Sequence, residues 1–433
     1  MDESAEIVML ERGPYISFAN CGLPYYIGEV IEDRDRLLVV TPEKLKAMMN
    51  IDSRVGHEVI NIDREGKTVT VRELASERVY EEAYDNLVLS PGATPVVPPL
   101  PGVDLPGVFT LRNLPDMDRI KTFVDKEKPA RAVVVGGGFI GLEIAENLQQ
   151  RGVHVTLIEM LDQVMAPIDY EMAALVHQHL TFKRIRLALG DGLKSISEGD
   201  PGWLQVRTGS DRKVDAQMVI LSIGVRPENQ LAKEAGLKLG HRGTIKTNAH
   251  MQTSDPDIYA VGDAVEVTNL ISGEPTTLAL AGPASREGRV AADHIAGRDA
   301  TFEGVIGTSV VKIFDLTVAS VGMNTRQLED AGLPFQNVIV HVSNHAGYYP
   351  GAAPMAFKLL FSPEGKIYGA QAVGLDGVEK RIDVIATAML GGMKVYDLEN
   401  LELAYAPPFS SSRDPVNIIG FTAANVLRGD ARV

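Results

Sequence analysis

The sequence of 433 residues is poor in cysteine and contains only one, Cys21. A lone cysteine excludes an internal disulfide and is typical of a reducing compartment, so we expect a cytoplasmic protein. No apolar run approaches the ~20 residues that a membrane-spanning helix needs, and the N-terminus has no basic segment followed by an apolar one. We therefore predict neither a membrane partner nor a secretory signal.

Positive charge is also scarce. Lys and Arg number 42 against 57 Asp and Glu, which gives a net charge of −15, and no Lys/Arg-rich block is present. We expect no nucleic-acid partner, since proteins that bind nucleic acids contact the phosphates through clustered basic residues.

Apolar residues make up 45% of the chain and charged residues 23%, a composition typical of a soluble globular protein. The length indicates about three domains. We predict no metal site.

A glycine turn between an apolar strand and a helix is the clearest local pattern. Residues 132–135 (AVVV) precede Gly136, Gly138 and Gly141, and apolar residues follow at helical spacing. In a dinucleotide-binding βαβ unit the first glycine permits the turn, the second lets the backbone approach the diphosphate, and the third lets helix and strand pack closely. The sequence therefore predicts a nucleotide site at the N-terminus of this helix.

Glu159 is the acidic residue expected after the second strand of such a unit. It lies 23 positions after Gly136 and follows the apolar strand 153–158. A carboxylate there accepts hydrogen bonds from ribose hydroxyls and repels a 2′-phosphate, and neither Met160 nor Leu161 offers a cation for that phosphate. We therefore predict NADH rather than NADPH.

The first residues of the chain repeat part of this unit. Residues 5–11 (AEIVMLE) match residues 153–159 (VHVTLIE), an apolar strand that ends on a glutamate, here Glu11. Only ten residues precede Glu11, whereas the glycine turn of the complete unit begins 23 residues before its glutamate. We therefore expect a first unit that lacks its opening strand and glycine turn and binds its own dinucleotide poorly.

Four motifs together carry a family resemblance. They are SFANCGLPYY from Ser17, GGGFIG from Gly136, IYAVGD ending at Asp263, and YAPPFS from Tyr405. The set resembles the single-cysteine branch of the flavin-dependent pyridine nucleotide-disulfide oxidoreductases, and within it the coenzyme A-disulfide reductases and NADH-dependent persulfide reductases. The resemblance extends over the whole chain.

The resemblance implies an α/β fold with two Rossmann-like dinucleotide-binding domains, the first interrupted by the second, and a C-terminal α+β dimerisation domain. We expect an N-terminally incomplete FAD-binding domain in residues 1–107 and 248–300, an NADH-binding domain in 108–247 and a dimerisation domain in 301–433. The proline-rich stretch 91–107 suits a crossing between domains. FAD and NADH are the implied cofactors, and a homodimer is the implied assembly.

Cys21 is the predicted redox nucleophile. Thiol–disulfide exchange needs a thiolate, which backbone N–H groups at a helix N-terminus favour. Because the chain has no second cysteine, the oxidised form of Cys21 is a mixed disulfide, a persulfide or a sulfenic acid. By resemblance, Ser17 and Asn20 contact the thiol-bearing substrate and Arg413 binds its phosphates. Turn capping is the alternative for Ser17, and a solvated surface charge is the alternative for Arg413.

The resemblance also brings two tyrosines to the cysteine of the partner subunit. These are Tyr405 and Tyr349, and the sequence does not separate Tyr349 from Tyr348. A phenol in this position could donate a hydrogen bond to a leaving thiolate. The alternative is that these tyrosines are ordinary interface aromatics.

The remaining predicted cofactor contacts come from the same resemblance. Glu11 and Arg12 are expected to hold the adenosine of FAD, and Asp263 is expected to accept from its ribityl chain. The helix that begins after residue 280 is expected to point its positive end at the flavin ring. The residues assigned to cofactor binding, besides the glycine turn and Glu159, are Glu11, Arg12, Gly224, Gly262, Asp263 and Ala281.

These features predict an oxidoreductase that passes electrons from NADH through FAD to a disulfide or persulfide at Cys21 and releases coenzyme A or sulfide. Two alternatives stay open at this point. One is an NADH oxidase or peroxidase that cycles Cys21 through a sulfenic acid. The other is a non-catalytic fragment that retains only NADH binding and dimerisation.

Overall fold

The computed structural model describes residues 4–431. The segment up to residue 107 alternates short helices with strands and has two 3-10 turns, at Asn20–Gly22 and Arg34–Leu37. Its elements are β1 (Val8–Glu11), α1 (Leu23–Ile27), α2 (Pro42–Met49), β2 (Asp52–Val55), β3 (His57–Asp63), β4 (Thr68–Glu73), β5 (Arg78–Ala83), β6 (Leu87–Leu89) and β7 (Ala93–Pro95).

Two small sheets form within this first segment. β1 pairs in parallel with β2, and β3, β4 and β5 form an antiparallel meander. The strand expected over residues 5–11 is therefore observed, although it begins three residues later, at Val8. The meander was not predicted from the sequence.

The next segment, residues 108–247, contains the glycine turn and one 3-10 turn, His241–Gly243. Its elements are β8 (Val108–Phe109), α3 (Leu114–Glu127), β9 (Arg131–Val135), α4 (Phe139–Gln150), β10 (His154–Ile158), α5 (Tyr170–Phe182), β11 (Arg186–Ala188), β12 (Leu193–Glu198), β13 (Leu204–Thr208), β14 (Lys213–Ala216), β15 (Met218–Leu221), β16 (Val225–Pro227) and α6 (Gln230–Glu234).

A five-stranded parallel sheet forms the centre of this segment, in the order β11-β10-β9-β15-β8. β9 is a continuous apolar run because both faces of the sheet are covered, and residues 132–135 are all buried. The three-stranded antiparallel sheet β12-β13-β14 packs over one face through Ile196, Leu204 and Val206. The predicted strand–turn–helix unit is thus present, with β9 followed directly by the turn and α4.

The chain then returns to the first segment. Residues 248–300 supply β17 (Ile258–Ala260), β18 (Val267–Thr268), β19 (Pro275–Thr276) and α7 (Ala281–Ile295). β17 pairs in parallel with β6, so chain before and after the glycine-turn unit meets in one sheet. The segments that lead into and out of that unit also pair with each other, as the antiparallel strands β7 and β16. The proline-rich crossing therefore contains a short strand that the sequence did not predict.

The last segment carries β20 (Ser309–Ile313), β21 (Leu316–Gly322), α8 (Thr325–Asp330), β22 (Gln336–Ser343), β23 (Pro354–Phe361), β24 (Ile367–Gly374), α9 (Val378–Leu390), α10 (Val395–Leu398) and α11 (Pro415–Arg428). The five strands form an antiparallel sheet in the order β20-β21-β24-β23-β22, with α9 and α11 packed on it. The predicted α/β architecture is observed. No helix within residues 4–431 combines the length and apolar character needed to cross a membrane.

A buried ionic cluster joins this last sheet to the glycine-turn segment. Lys358 of β23 lies 2.6 Å from Asp169, the residue before α5, and the two side chains are 3% and 7% exposed. Asp169 also accepts hydrogen bonds from the Thr325 hydroxyl (2.9 Å) and the Gln371 amide (2.9 Å), and Lys358 pairs with Glu171 as well. Both oxygens of the Asp169 carboxylate therefore have hydrogen-bond or ionic partners, and these partners belong to the last segment.

Replacing Lys358 with Met should weaken the fold. The substitution keeps the length of the side chain but leaves the buried Asp169 carboxylate without its cation, and removing one partner of a buried pair typically costs about 3 kcal/mol or more. We expect a lower midpoint in urea unfolding followed by circular dichroism. Lys366→Met, at an exposed position before β24, is the matched control. Equal midpoints for the two variants would show that the cluster contributes nothing to stability.

Candidate active site

The turn between β9 and α4 forms a cradle of backbone N–H groups. Gly136 has a φ of +110°, and a Cβ there would lie 2.3 Å from the Ser222 carbonyl oxygen, so only glycine fits. A Cβ at Gly138 would meet no atom within 4 Å, and no side chain caps α4. The first N–H groups of this helix therefore face open space, which suits an incoming diphosphate.

Glu159 lies at the edge of this cradle. Its carboxylate accepts hydrogen bonds from the backbone N–H groups of Gly137 (2.6 Å) and Leu161 (2.8 Å). These bonds fix the carboxylate beside the turn, where the ribose of a bound dinucleotide would follow its diphosphate. Gly224 comes after β15 with a φ of +116°, and its carbonyl accepts from Val96 N–H at 2.9 Å. The residues present therefore fit an NAD-type dinucleotide.

Cys21 is exposed in the middle of the 3-10 turn that leads into α1. This turn is held by an Ala19 N–H bond to the Leu37 carbonyl (2.8 Å) and by an isolated bridge between Phe18 and Leu38. Asn20 is exposed beside the cysteine, whereas Ser17 is partly buried. The local sequence folds this way because Pro24 opens α1 in its first turn, which leaves the thiol just ahead of the helix.

Two partly buried carboxylates, Glu143 and Asp263, lie near the thiol. Burial is the main cause that raises the pKa of Cys21, and the negative charges of Glu143 and Asp263 raise it further. Glu143 belongs to α4, where burial raises its own pKa to about 7, and it accepts a hydrogen bond from the Tyr25 hydroxyl at 3.2 Å. The structure thus brings Cys21 close to the predicted flavin residue Asp263 and to the helix that begins at the nucleotide turn.

Glu143 and Tyr25 were not identified from the sequence. Tyr25 lies in α1 and Glu143 in the first turns of α4, 118 positions further along the chain. The available signal was an acidic side chain between two apolar residues of the helix FIGLEIAENLQQ, since its neighbours Leu142 and Ile144 are fully buried. A carboxylate at such a position indicates either a paired charge or a functional group.

The second predicted cofactor region lies after β17. Burial raises the pKa of the partly buried Asp263 carboxylate, and within residues 4–431 it accepts no hydrogen bond from the protein. Gly262 N–H donates to the buried Glu287 at 2.6 Å. α7 begins at Ala281 with no side-chain cap, and a Cβ at Gly282 would meet no atom within 4 Å. An acceptor and an open helix N-terminus therefore fit the ribityl and ring parts of a flavin.

The predicted adenosine contacts lie apart from Asp263, at the end of β1. Glu11 ends that strand and accepts from Gly13 N–H, and the exposed Arg12 lies 3.6 Å from Glu58. The prediction that the first dinucleotide unit lacks its glycine turn stays a prediction.

The predicted tyrosines lie in the last segment, and their exposed side chains meet each other. The hydroxyl oxygens of Tyr348 and Tyr405 are 3.0 Å apart, whereas Tyr349 packs edge-on against His345. Within the described part of the chain, no hydrogen bond or ring contact joins these tyrosines to Cys21. Arg413 is exposed, with its guanidinium 6.0 Å from the centre of the Phe421 ring. The structure therefore pairs Tyr405 with Tyr348, not with Tyr349.

Two family profiles match the chain. One is described as pyridine nucleotide-disulphide oxidoreductase and matches residues 2–288, and the other is the dimerisation domain of those proteins and matches residues 308–415. The chain belongs to the pyridine nucleotide-disulphide oxidoreductase family. Members of this family bind FAD and NAD(P)H. The predicted family, fold class and enzyme class of this oxidoreductase are confirmed.

Individual relatives are similar over nearly the full length of this oxidoreductase. The coenzyme A disulfide reductase of Staphylococcus haemolyticus is 36% identical over 428 residues, which cover 98% of this chain and 95% of that protein. Reduced Bacillus anthracis CoADR-RHD has a TM-score of 0.97 and 52% identity, over 99% of this chain and 77% of that one. An NAD-dependent persulfide reductase from A. fulgidus has a TM-score of 0.96 and 38% identity, over 99% and 80%.

The charge on Glu143 should control the reactivity of Cys21 in this oxidoreductase. Glu143→Gln removes a negative charge that raises the pKa of the thiol, so the variant should hold more thiolate at neutral pH. We expect severalfold faster alkylation by iodoacetamide, and the reaction reports on this site alone because the chain has one cysteine. Glu65→Gln, at an exposed position after β3, is the control. Equal alkylation rates in wild type and Glu143→Gln would contradict the coupling.

Proposed function

We propose that this oxidoreductase transfers electrons from NADH to a disulfide or persulfide at Cys21, with coenzyme A disulfide or a related persulfide or polysulfide as the substrate and the cytoplasm as its location. The observation that carries the proposal is the position of the thiol. Cys21 is exposed to an incoming substrate, and the same α4 helix that begins at the nucleotide turn brings Glu143 to it. A nucleophile for sulfur and a site for the electron donor are therefore adjacent.

The proposed cofactors are FAD and NADH. NADH would be held by the glycine turn of Gly136 to Gly141 and by Glu159, and FAD by Asp263, Gly262 and the N-terminus of α7. FAD, when bound, accepts a hydride from the nicotinamide and supplies two electrons to sulfur. We assign residues 1–107 and 248–300 to the FAD domain and residues 108–247 to the NADH domain. The parallel pairing of β6 with β17 supports this division.

The residues around the cysteine have distinct proposed roles. The Cys21 thiolate attacks one sulfur of the substrate disulfide, a Cys21–substrate disulfide forms, and the other half leaves as a thiolate. Reduction of this mixed disulfide by two electrons restores the Cys21 thiolate and releases the second thiolate. Ser17 and Asn20 flank the thiol and would orient the substrate. The exposed Arg413 would bind its phosphates.

Cys21→Ser separates the proposed function from its alternatives. We expect the variant to lose reduction of coenzyme A disulfide while NADH still reduces an artificial dye, because the hydride-accepting half of the reaction needs no thiol. The measurement is steady-state NADH oxidation with coenzyme A disulfide, a persulfide or oxygen alone, together with the flavin absorbance of the purified protein. A wild-type rate of disulfide reduction in Cys21→Ser would refute the assignment.

The same assay distinguishes the remaining functions. NADH oxidation with oxygen alone as fast as with any disulfide would indicate an oxidase that forms a sulfenic acid at Cys21. A purified protein without flavin absorbance that still binds NADH would indicate a non-catalytic fragment.

Glu159 should set the preference for NADH. A carboxylate facing a 2′-phosphate costs about 1–4 kcal/mol, which corresponds to a preference of roughly tenfold to several hundredfold in kcat/KM. Glu159→Gln keeps an acceptor for the Gly137 N–H but removes the charge, so it should reduce this preference. Glu198→Gln, at the exposed end of β12, is the control. Equal kcat/KM values for NADH and NADPH in the wild type would contradict this role.

We propose a homodimer formed through residues 301–433, in which Tyr405 and the 348–349 pair reach Cys21 of the other subunit. The large exposed aromatics of this segment support it: Tyr348 is 77% exposed and Phe409 68%. Light scattering should give about twice the 46.8 kDa of one chain. A fully active species of 46.8 kDa would exclude the shared site.

A further inference from the structure

Two loops carry the exposed tyrosines, and one buried arginine contacts both. The tyrosine loops are residues 344–353, with Tyr348 and Tyr349, and residues 405–414, with Tyr405. Arg381 of α9 is 2% exposed and lies beneath them. Its Nη2 donates to the Asn344 carbonyl at 2.8 Å in the first loop and to the Phe409 carbonyl at 3.1 Å in the second.

The second loop is also fixed by the acidic partner of this arginine. Asp414 is 3% exposed and accepts from Arg381 Nη2 at 3.1 Å and from the Ser410 hydroxyl at 2.6 Å. Its other oxygen accepts from Val416 N–H at 3.0 Å, which caps α11. The second tyrosine loop is therefore attached at one end to a helix and at its centre to Arg381.

The first loop is closed at its base by Asn344. The side-chain oxygen of Asn344 accepts from His345 N–H (3.0 Å) and Ala353 N–H (2.8 Å), and its backbone N–H donates to the Ala353 carbonyl. One direct backbone hydrogen bond joins the two loops, from Ala346 N–H to the Ser410 carbonyl at 3.1 Å. The Tyr348 and Tyr405 hydroxyls then meet above this base.

The buried Arg381–Asp414 ion pair is not explained by a contribution to stability alone. Removing two charges from water costs several kcal/mol per ion, and well-packed apolar residues are often equally stable in their place. The Nε atom of Arg381 also has no hydrogen-bond partner among residues 4–431, which adds a cost. What a guanidinium offers is a rigid planar group in which Nη1 donates to the Gly377 carbonyl at 2.9 Å, and this bond fixes Nη2 between the two loops.

We propose that Arg381 is a positioning residue, which with Asp414 and Ser410 holds the two tyrosine loops so that the Tyr348 and Tyr405 hydroxyls form a hydrogen-bonded pair. In such a pair one hydroxyl donates to the other, and one hydroxyl hydrogen is left free to donate to a leaving thiolate. The catalytic use of the pair rests on the proposed function. The placement of the pair by Arg381 does not.

Arg381→Lys tests the placement directly. Lysine keeps the charge for Asp414 but lacks the second nitrogen that anchors the guanidinium to the Gly377 carbonyl, so its ammonium is not held between the loops and the two hydroxyls should separate. The hydrogen bond that Tyr348 forms with Tyr405 raises the pKa of Tyr348, so its loss should make Tyr348 ionise at lower pH. Absorbance at 295 nm, titrated for each protein against its Tyr348→Phe counterpart, reports the ionisation of the Tyr348–Tyr405 pair among the 12 tyrosines in the chain. Arg428→Lys, an exposed arginine paired with Glu399, is the control.

Activity provides the second readout. We expect Arg381→Lys to lose about tenfold to a hundredfold in kcat for disulfide reduction, as misplacement of a catalytic group by ~1 Å typically does, with NADH reduction of a dye unchanged. Ser410→Ala keeps the ion pair and removes one bond, so it gives a smaller shift in the same direction and replaces Arg381→Lys if that variant does not fold. Ser412→Ala is its exposed control.

The outcomes separate the two proposals. An unchanged Tyr348 ionisation in Arg381→Lys and Ser410→Ala overturns the positioning role, whatever the activity. Disulfide and dye reduction that fall together also overturn it, because that result indicates a general structural defect. A shifted Tyr348 ionisation in a protein whose Cys21→Ser variant still reduces disulfides would support the positioning role and refute the proposed function.

Discussion

The close contact between α4 and the glycine turn is the constraint on which both halves of the site depend. A Cβ at Gly141 would lie 1.9 Å from the Gly136 carbonyl oxygen, so the helix reaches this position only with glycine there. From that start, the N-terminus of α4 lies at the proposed nucleotide site, and its second turn packs against α1 and brings Glu143 to Tyr25. The distance between the proposed nucleotide site and the thiol is therefore set by backbone packing.

Local patterns were readable from the sequence, and long-range contacts were not. The strand, glycine turn and acid of the nucleotide unit, and the motif around Cys21, each lie within a few residues or one βαβ unit. β24 has no alternating pattern because it is buried on both faces, and Gly369 weakens its strand signal further. α11 does carry local signals, because Pro415 opens it and Gly429 follows its last residue. The Tyr348–Tyr405 contact joins residues 57 positions apart, and no local pattern encodes it.

Buried charge follows different rules in the two parts of the molecule. Around Cys21, burial raises the pKa values of Glu143, Asp263 and Glu287, so these carboxyl groups accept protons more readily than free ones. In the last segment, Lys358 and Arg381 are each paired with a buried aspartate. The first arrangement suits a site where charge and protons change during turnover. The buried ion pairs suit a part of the molecule whose geometry stays fixed. The pair of Arg381 lies in the segment that carries the paired tyrosines.

The two-stranded ribbon of β7 and β16 connects the proposed nucleotide-binding unit to the rest of the molecule. Both connections of residues 96–224 to the rest of the molecule run through this one ribbon, so these residues leave and return at a single place. Residues 228–247 of the proposed NADH domain lie beyond the ribbon, where Ala232 and Leu237 pack in one core with Ile62. Such a unit can be exchanged as a cassette between related chains with two neighbouring junctions. The exchange has one further requirement, because Asp169 lies inside the cassette and Lys358 outside it. A donor cassette must therefore bring a carboxylate at that position, or the acceptor chain must give up its buried lysine.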